Sequence, residues 1–193
     1  MAIEVLPASA DRFDDVATVL APKNPDTAAC WCLTYRLSPR ENRELGARER
    51  PEHVKALCAR ELPPGVLAYL DGEVAGWAGV APRQELHAFS RGTRIPHVDD
   101  RAVWSVWCFR VRAGYRRRGV AQALLQGAVD FARAHGAPAV EGYPVDNGDQ
   151  RVDAVMAYVG TRSMFEKAGF RKAADTAAVS ARLPRVLMRL ELG

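Results

Sequence analysis

The sequence predicts an α/β (α+β) fold, a central mixed and mostly antiparallel sheet with flanking helices, and three stretches carry that prediction. An apolar run from Val103 to Val111 passes through a Gly- and Arg-rich turn into a helix-periodic segment, and the next apolar run is Ala139 to Tyr143. Two strands joined through a helix in this way pair in parallel by a right-handed crossover. Val66 to Leu70 and Val74 to Val80 flank Asp71-Gly72-Glu73, the pattern of an antiparallel hairpin. Further strand-like runs stand near the two ends, at Ile3 to Leu6 and Val186 to Leu192.

In chain order, the first strand leads to Ser9 and Asp11, either of which suits a helix cap, and the helix presents Phe13, Val16, Ala17 and Leu20 on one face. Pro22 and Pro25 end it. The following loop, Asp26 to Leu37, holds Cys30, Trp31, Cys32 and Tyr35 and is unusually apolar for a connection. It either borders a pocket or tucks into the core. Charges of alternating sign from Arg40 to Arg50 predict an exposed helix or loop. Pro51 suits a first helical position, and Val54, Leu57, Cys58 and Leu62 predict a second amphipathic helix that ends at Pro63-Pro64-Gly65. After the hairpin, closed by Pro82, the segment Arg83 to Asp100 shows no periodicity and reads as a long loop, with His87 and His97 on its surface.

The central helix is the best defined. Ala121, Leu124, Leu125, Ala128, Val129 and Ala132 recur at helical spacing along one face. Gly136 supplies the left-handed cap and Pro138 forbids continuation. Pro144 to Gly160 is a second long loop, Thr161 to Ala168 a late helix, and Phe170 to Ala174 the start of another strand. The 193 residues suffice for one domain over 1–193, with no internal repeat.

Composition narrows the class. Hydrophobic content of 48% with 26% charged residues is that of an ordinary globular protein. No apolar run reaches bilayer length and the start lacks a leader-like pattern, so a cytoplasmic location is expected. Net charge is +4, and of 27 basic residues only Lys23, Lys55, Lys167 and Lys172 are lysines. Arginine suits phosphate recognition because its planar fork grips two oxygens. The four cysteines, Cys30, Cys32, Cys58 and Cys108, are too sparse for a disulfide framework. Cys30-Trp31-Cys32 is tighter than the usual metal grip and has no second pair, so free thiols and no metal are expected.

The turn between the central strand and helix carries the chemistry. Unpaired N–H groups and the positive dipole end of the helix project where Arg116, Arg117 and Arg118 stand, and Gly119 lets an anion approach the backbone. The stretch V-R-A-G-Y-R-R-R-G-V-A resembles the coenzyme A loop of the GNAT superfamily of N-acyltransferases, V-x-P-x-Y-R-x-x-G-x-G/A. A second segment, S-M-F-E-K-A-G-F from Ser163 to Phe170, looks like that family's late helix and the Gly-Phe opening the next strand. The order of elements agrees with the GNAT fold over nearly the whole chain.

The resemblance implies that the strand ending at Val111 and the one starting at Ala139 splay apart to admit the thioester arm of an acyl-CoA cosubstrate, most simply acetyl-CoA. It implies that backbone groups of Phe109 and Val111 pair with the pantetheine amides. Arg116, Arg117, Arg118, Gly119, Val120 and Ala121 then hold the diphosphate, with Phe165 counted among the cofactor-binding residues. The implied reaction is direct attack of an amine, on a small molecule or peptide, at the acyl carbon. It needs a neutral amine, an oxyanion donor and a proton for the thiolate.

The family's usual acid is a Tyr four residues before the Gly of Gly-Phe, and Phe165 stands there, with no proton to give. Tyr158 and Ser163 are the hydroxyls that remain as acids, with Thr161 one turn before Phe165. The central strand has no carboxylate, so Asp100 is the candidate base, with Glu141 and Asp146 as further acidic groups. The resemblance places the Cys30–Tyr35 loop beside the acceptor, where Trp31, Tyr35, Trp77, Trp104 and Trp107 would give an aromatic wall or serve as core. A non-catalytic acyl-CoA-binding module is the alternative. No nucleic-acid or membrane partner is expected, and a homodimer is left open.

Overall fold

The structure, a computed structural model, describes residues 2–148, 158–180 and 182–193. The middle of the long loop from Pro144 to Gly160 therefore lies outside the described residues. One seven-stranded sheet runs in the order β1 (Ile3–Pro7), β2 (Gly65–Leu70), β3 (Glu73–Pro82), β4 (Trp104–Val111), β5 (Ala139–Gly142), β7 (Leu183–Glu191) and β6 (Arg171–Ser180). Every neighbouring pair is antiparallel except β4 with β5. The sheet is mixed and mostly antiparallel, as the sequence predicts.

Helix α5 (Val120–Ala134) covers one face because its apolar stripe repeats at the helical period. Leu124, Leu125, Ala128 and Val129 are buried against Val66, Ala68, Ala78, Val106 and Val140. The other face is covered by α1 (Phe13–Leu20), by α3 (Glu49–Cys58) and by the loop at Trp31 to Leu33. These elements bury Val16, Leu20, Leu33 and Val54 with Trp77, Trp107 and Leu187. Both arrangements follow from amphipathic elements needing a partner for their apolar side.

Several local expectations change. Ser9 caps nothing; a short 3-10 turn, Ala10–Arg12, precedes α1, and the Ser9 hydroxyl accepts from Arg12 at 2.6 Å. The first part of the charged stretch forms α2 (Pro39–Glu44), opened by a Ser38–Glu41 capping box. Arg50 is buried instead of exposed, because its guanidinium donates to the Asn42 carbonyl at 2.6 Å. Leu62 lies beyond the end of α3. The segment after Pro82 is not one irregular loop: it contains a 3-10 turn and α4 (His87–Ser90). Strand β6 runs on to Ser180, and α6 is Arg162–Lys167 with Thr161 as its cap.

Two features open the sheet at its centre. Between β3 and β4, Gly79 pairs with Cys108 and Val80 with Val106, so Trp107 is an extra residue in β4. Such a bulge bends its strand and adds twist. Beyond it, β4 leaves β5, whose parallel ladder lasts only from Trp104 to Val106, opposite Val140 to Gly142. Below the divergence Phe165 fills the gap: its ring is fully buried, and a Cβ at Gly142 would overlap it. Gly142→Ala is expected to destabilise the protein by about 1–3 kcal/mol through overpacking, read as a lower urea midpoint.

At the other end of the same strands a buried carboxylate locks the pieces together. Glu141, fully buried, pairs with Arg83 at 2.6 Å and with Arg189 at 2.8 Å, and accepts from the Tyr143 hydroxyl at 3.2 Å. Arg83 also donates to the carbonyls of Phe89 and Pro96. The cluster ties the end of β3 and the segment that follows it to β5 and β7.

Arg189 also reaches Asp99, whose carboxyl it holds well below the usual carboxylate range. A depressed carboxylate adds stability that is complete above its unfolded value and is lost as pH falls. The native protein is therefore expected to lose stability below about pH 4 more steeply than Asp99→Asn, which thermal melts across the acid range would show.

Candidate active site

The divergence of β4 and β5 opens a cleft of about 1590 Å³. Its walls are β4 from Trp107 to Arg112, the turn from Ala113 to Gly119, the first residues of α5, the outer face of α6, and the loop residues Cys30, Cys32, Thr34 and Tyr35. In β4, the backbone groups of Cys108 and Arg110 face β3, so those of Phe109 and Val111 face the cleft. The Phe109 N–H is already engaged: it donates to the Tyr158 carbonyl at 2.6 Å. Its carbonyl and both groups of Val111 point along the open edge.

At one end the edge runs into the arginine turn. Arg116, Arg117, Arg118 and Gly119 are exposed, and the backbone is left-handed at Arg117 (φ 60°) and Gly119 (φ 83°). At Gly119, the residue before Val120, that conformation favours glycine. The first N–H groups of the 15-residue α5 have no acceptor within the helix. A Cβ on Gly119 would meet nothing closer than Ile3 at 3.8 Å, so the amides are approachable. Arg112 and Arg118 lie over the Tyr115 ring, at 5.3 and 5.9 Å from its centroid. This end fits a diphosphate: cations, amides and the positive end of a helix dipole meet in one concave turn.

The other end is aromatic and polar. Tyr158, half-buried, has its hydroxyl 3.0 Å from that of Tyr35. Burial first, and then the contact with Tyr35, holds the Tyr158 phenol well above its ordinary value, so it keeps its proton at neutral pH. Cys108 and Cys32 share the wall, and the hydrogen bond to Cys32 and burial keep the Cys108 thiol raised. Ser163 is exposed on α6, 3.2 Å from the Thr161 hydroxyl, and also borders the cleft.

The cleft thus brings together Phe109, Val111, Arg116, Arg117, Gly119, Val120, Ala121, Tyr158 and Ser163. Arg118 stacks on Tyr115 just outside its lining. Phe165 is not at its surface: the ring packs on Phe109 and Phe170 in the core beneath. Asp100 is exposed and does not line the cleft. Glu141 is sealed between two arginines, and Asp146 pairs with Arg162 at 3.1 Å. His97 is exposed and His87 opens α4. Of the tryptophans only Trp107 reaches the cleft; Trp31 and Trp77 are core, and Trp104 packs on Phe131 and His135.

Sequence reasoning missed Arg185, which reaches Tyr35 from β7. The available signal was the pair Arg185 and Arg189, four apart in an otherwise apolar strand and hence on one face. Gln122, Met164 and Lys167, which also line the cleft, gave no signal of their own.

A mixed sheet split at one parallel pair, with an anion-binding helix start at the mouth of the split, is the frame of an acyl-CoA-dependent transferase. The chain belongs to the acetyltransferase (GNAT) family, which it matches over residues 31–170. It is similar in fold to an N-acetyltransferase from Staphylococcus aureus Mu50, with a TM-score of 0.56, 16% identity and all of both chains covered. PaiA N-acetyltransferase from Thermoplasma acidophilum, in complex with coenzyme A, gives 0.54 at 15% identity over 99% of each chain. YncA from Salmonella typhimurium, with its cofactor acetyl-CoA, gives 0.53 at 15% identity, covering 100% of this chain and 95% of that one. No curated protein matches the sequence.

Proposed function

We propose that the protein transfers an acyl group, acetyl in the first instance, from coenzyme A to a primary amine of a small molecule or peptide by direct attack. The observation that carries this reading is the open edge of β4, which leads from the Tyr158 hydroxyl at one end of the cleft to the arginine turn at the other. The coenzyme A and acetyl-CoA bound by two proteins of the same fold support it.

In this reading the amides from Arg117 to Ala121 and the guanidinium groups beside them hold the diphosphate, while the Phe109 carbonyl and Val111 align the pantetheine arm. The bound thioester supplies the activated acyl carbon. A main-chain N–H on the cleft edge of β4 is the donor to the developing oxyanion. Tyr158 gives its proton to the departing sulfur, with Ser163 as the other hydroxyl within the cleft. No helix of the described residues is long and apolar enough to cross a membrane, and a cytoplasmic setting suits the cosubstrate.

Thermal-shift and turnover assays with acetyl-CoA, longer acyl-CoAs and a panel of amines test the reading. Acetyl-CoA is expected to raise the melting temperature, because a ligand of the folded state adds stability, and at least one amine is expected to be acetylated. Binding without turnover across the panel would favour a sensing module instead, and no shift with any acyl-CoA would end both.

A further inference from the structure

We propose that Tyr35 and Arg185 are positioning residues for Tyr158, the three forming a chain in which a buried guanidinium backs two phenols that supply one proton to the cleft. The proposal rests on the acyl-transfer reading above and names the groups that make its acid work. The three residues come from different segments: Tyr35 from the loop after α1, Tyr158 from the segment before α6, and Arg185 from β7.

The donor count fixes the logic. Arg185 carries only protons, so its Nη1 donates to the Tyr35 oxygen, at 3.0 Å. The two phenol oxygens, 3.0 Å apart, share one hydrogen bond. Two phenols own two protons; one lies between them and the other is left for the cleft, which both rings line. Either phenol can take either role by rotating its hydroxyl, so a proton always remains available.

The geometry is held on every side. Tyr158 is pinned through its carbonyl to the Phe109 N–H, on the open edge of β4. The Tyr35 ring stacks on Phe89 with centroids 5.0 Å apart. Arg185 donates from Nε to the Tyr143 carbonyl at 2.6 Å, and its guanidinium lies 5.6 Å from the Tyr35 centroid. Catalytic groups need this kind of locked support, because a loose acid loses its alignment with the reacting atom.

The charge is placed to act. Arg185 is 4% exposed, its Nη2 has no hydrogen-bond partner, and among the described residues no carboxylate pairs with it. With no carboxylate beside it, Arg185 keeps a positive field directly behind the phenols. In the transfer step the amine nitrogen forms a bond to the acyl carbon and the carbon–sulfur bond breaks. The sulfur takes the Tyr158 proton, and the amine gives its own proton to solvent. The Tyr158 oxygen then accepts from Tyr35, whose oxygen stays held by Arg185, so the negative charge is shared beside the guanidinium until water restores the proton.

Steady-state kinetics with acetyl-CoA and hydroxylamine, a small amine that is neutral at pH 7, test the chain. Tyr158→Phe is expected to lower kcat about 100-fold, and Tyr35→Phe and Arg185→Met about tenfold each. The KM for acetyl-CoA should stay within about twofold in all three. Arg185→Lys should recover part of the loss, since it returns the cation without the fork. The decisive readout is the leaving group. With an acetyl thioester of an aryl thiol, whose thiolate departs unaided, the deficits should close.

Equal losses with both thioesters would mark a packing defect and overturn the proposal. Native rates in Tyr35→Phe and Arg185→Met, with Tyr158→Phe still slow, would overturn the chain and leave Tyr158 as the acid. Native rates in all three would remove Tyr158 as well. If the unaltered protein acetylates neither hydroxylamine nor any amine of the panel, the acyl-transfer reading falls first, and the chain with it. Should Arg185→Met melt early, Tyr35→Phe and Arg185→Lys carry the comparison.

Discussion

Glu141→Gln is expected to cost the fold about 3–5 kcal/mol, because it leaves two buried guanidinium groups without their shared carboxylate. The residue has no exposure at all, and the side chains of Arg83 and Arg189 are 5% and 8% exposed. The amide keeps the shape and one acceptor oxygen, but its NH2 group would face an arginine donor with nothing to accept. A loss of that size is a large share of the roughly 5–15 kcal/mol that keeps a domain folded. Urea unfolding gives the measurement. A midpoint within error of the native one would show that the arginines relax into solvent and that the cluster is not closed in solution. The double replacement Glu141→Gln with Arg83→Met should recover part of the loss, since it removes the one charge left without a carboxylate, Arg189 keeping Asp99.

Gly119→Glu should leave the fold standing and weaken coenzyme A binding by about 100-fold or more, or about 2.7 kcal/mol. Two effects act together. A left-handed backbone costs a side chain about 1–2 kcal/mol, which tends to reshape the turn, and the new carboxylate sits at the helix start where the diphosphate would rest. Gly119→Asn is the control, because asparagine tolerates the left-handed region and brings no charge. Calorimetric titration with coenzyme A separates the outcomes. An unchanged dissociation constant in Gly119→Glu would show that the ligand does not use this turn, and the cofactor assignment would go with it.

How much of this was legible in the sequence depended on whether the signal was local. The α5 stripe and its Gly136 stop are properties of consecutive residues and needed no knowledge of the rest of the chain. The hairpin around Asp71-Gly72 was readable for the same reason. Strand β6 is longer than its sequence pattern predicts because most of it is exposed, with alanines where an apolar alternation would announce it. The segment after Pro82 looked irregular since its order comes from Arg83, which reaches carbonyls six and thirteen residues away.

At the site the same division holds. The arginine turn was visible as a motif with its own chemistry, whereas the acid and base candidates depended on which distant groups meet. Glu141 looks available in the sequence, but Arg83 converges on it from the turn after β3 and Arg189 from β7. Phe165 looked like a cofactor contact, yet the glycine at position 142 lets its ring sink into the core. Tyr158 and the Tyr35 loop were both in view, but nothing local says that residues 123 positions apart bring their hydroxyls together.

The parallel ladder of only three residue pairs between β4 and β5 also has a consequence for how the molecule breathes. A seam that thin divides the sheet into a four-stranded part and a three-stranded part, so amide protons of β5, β6 and β7 should exchange with deuterium as a separate cooperative unit. Partial opening along that seam would widen the split at its base while the arginine turn, carried by the four-stranded part, keeps its shape.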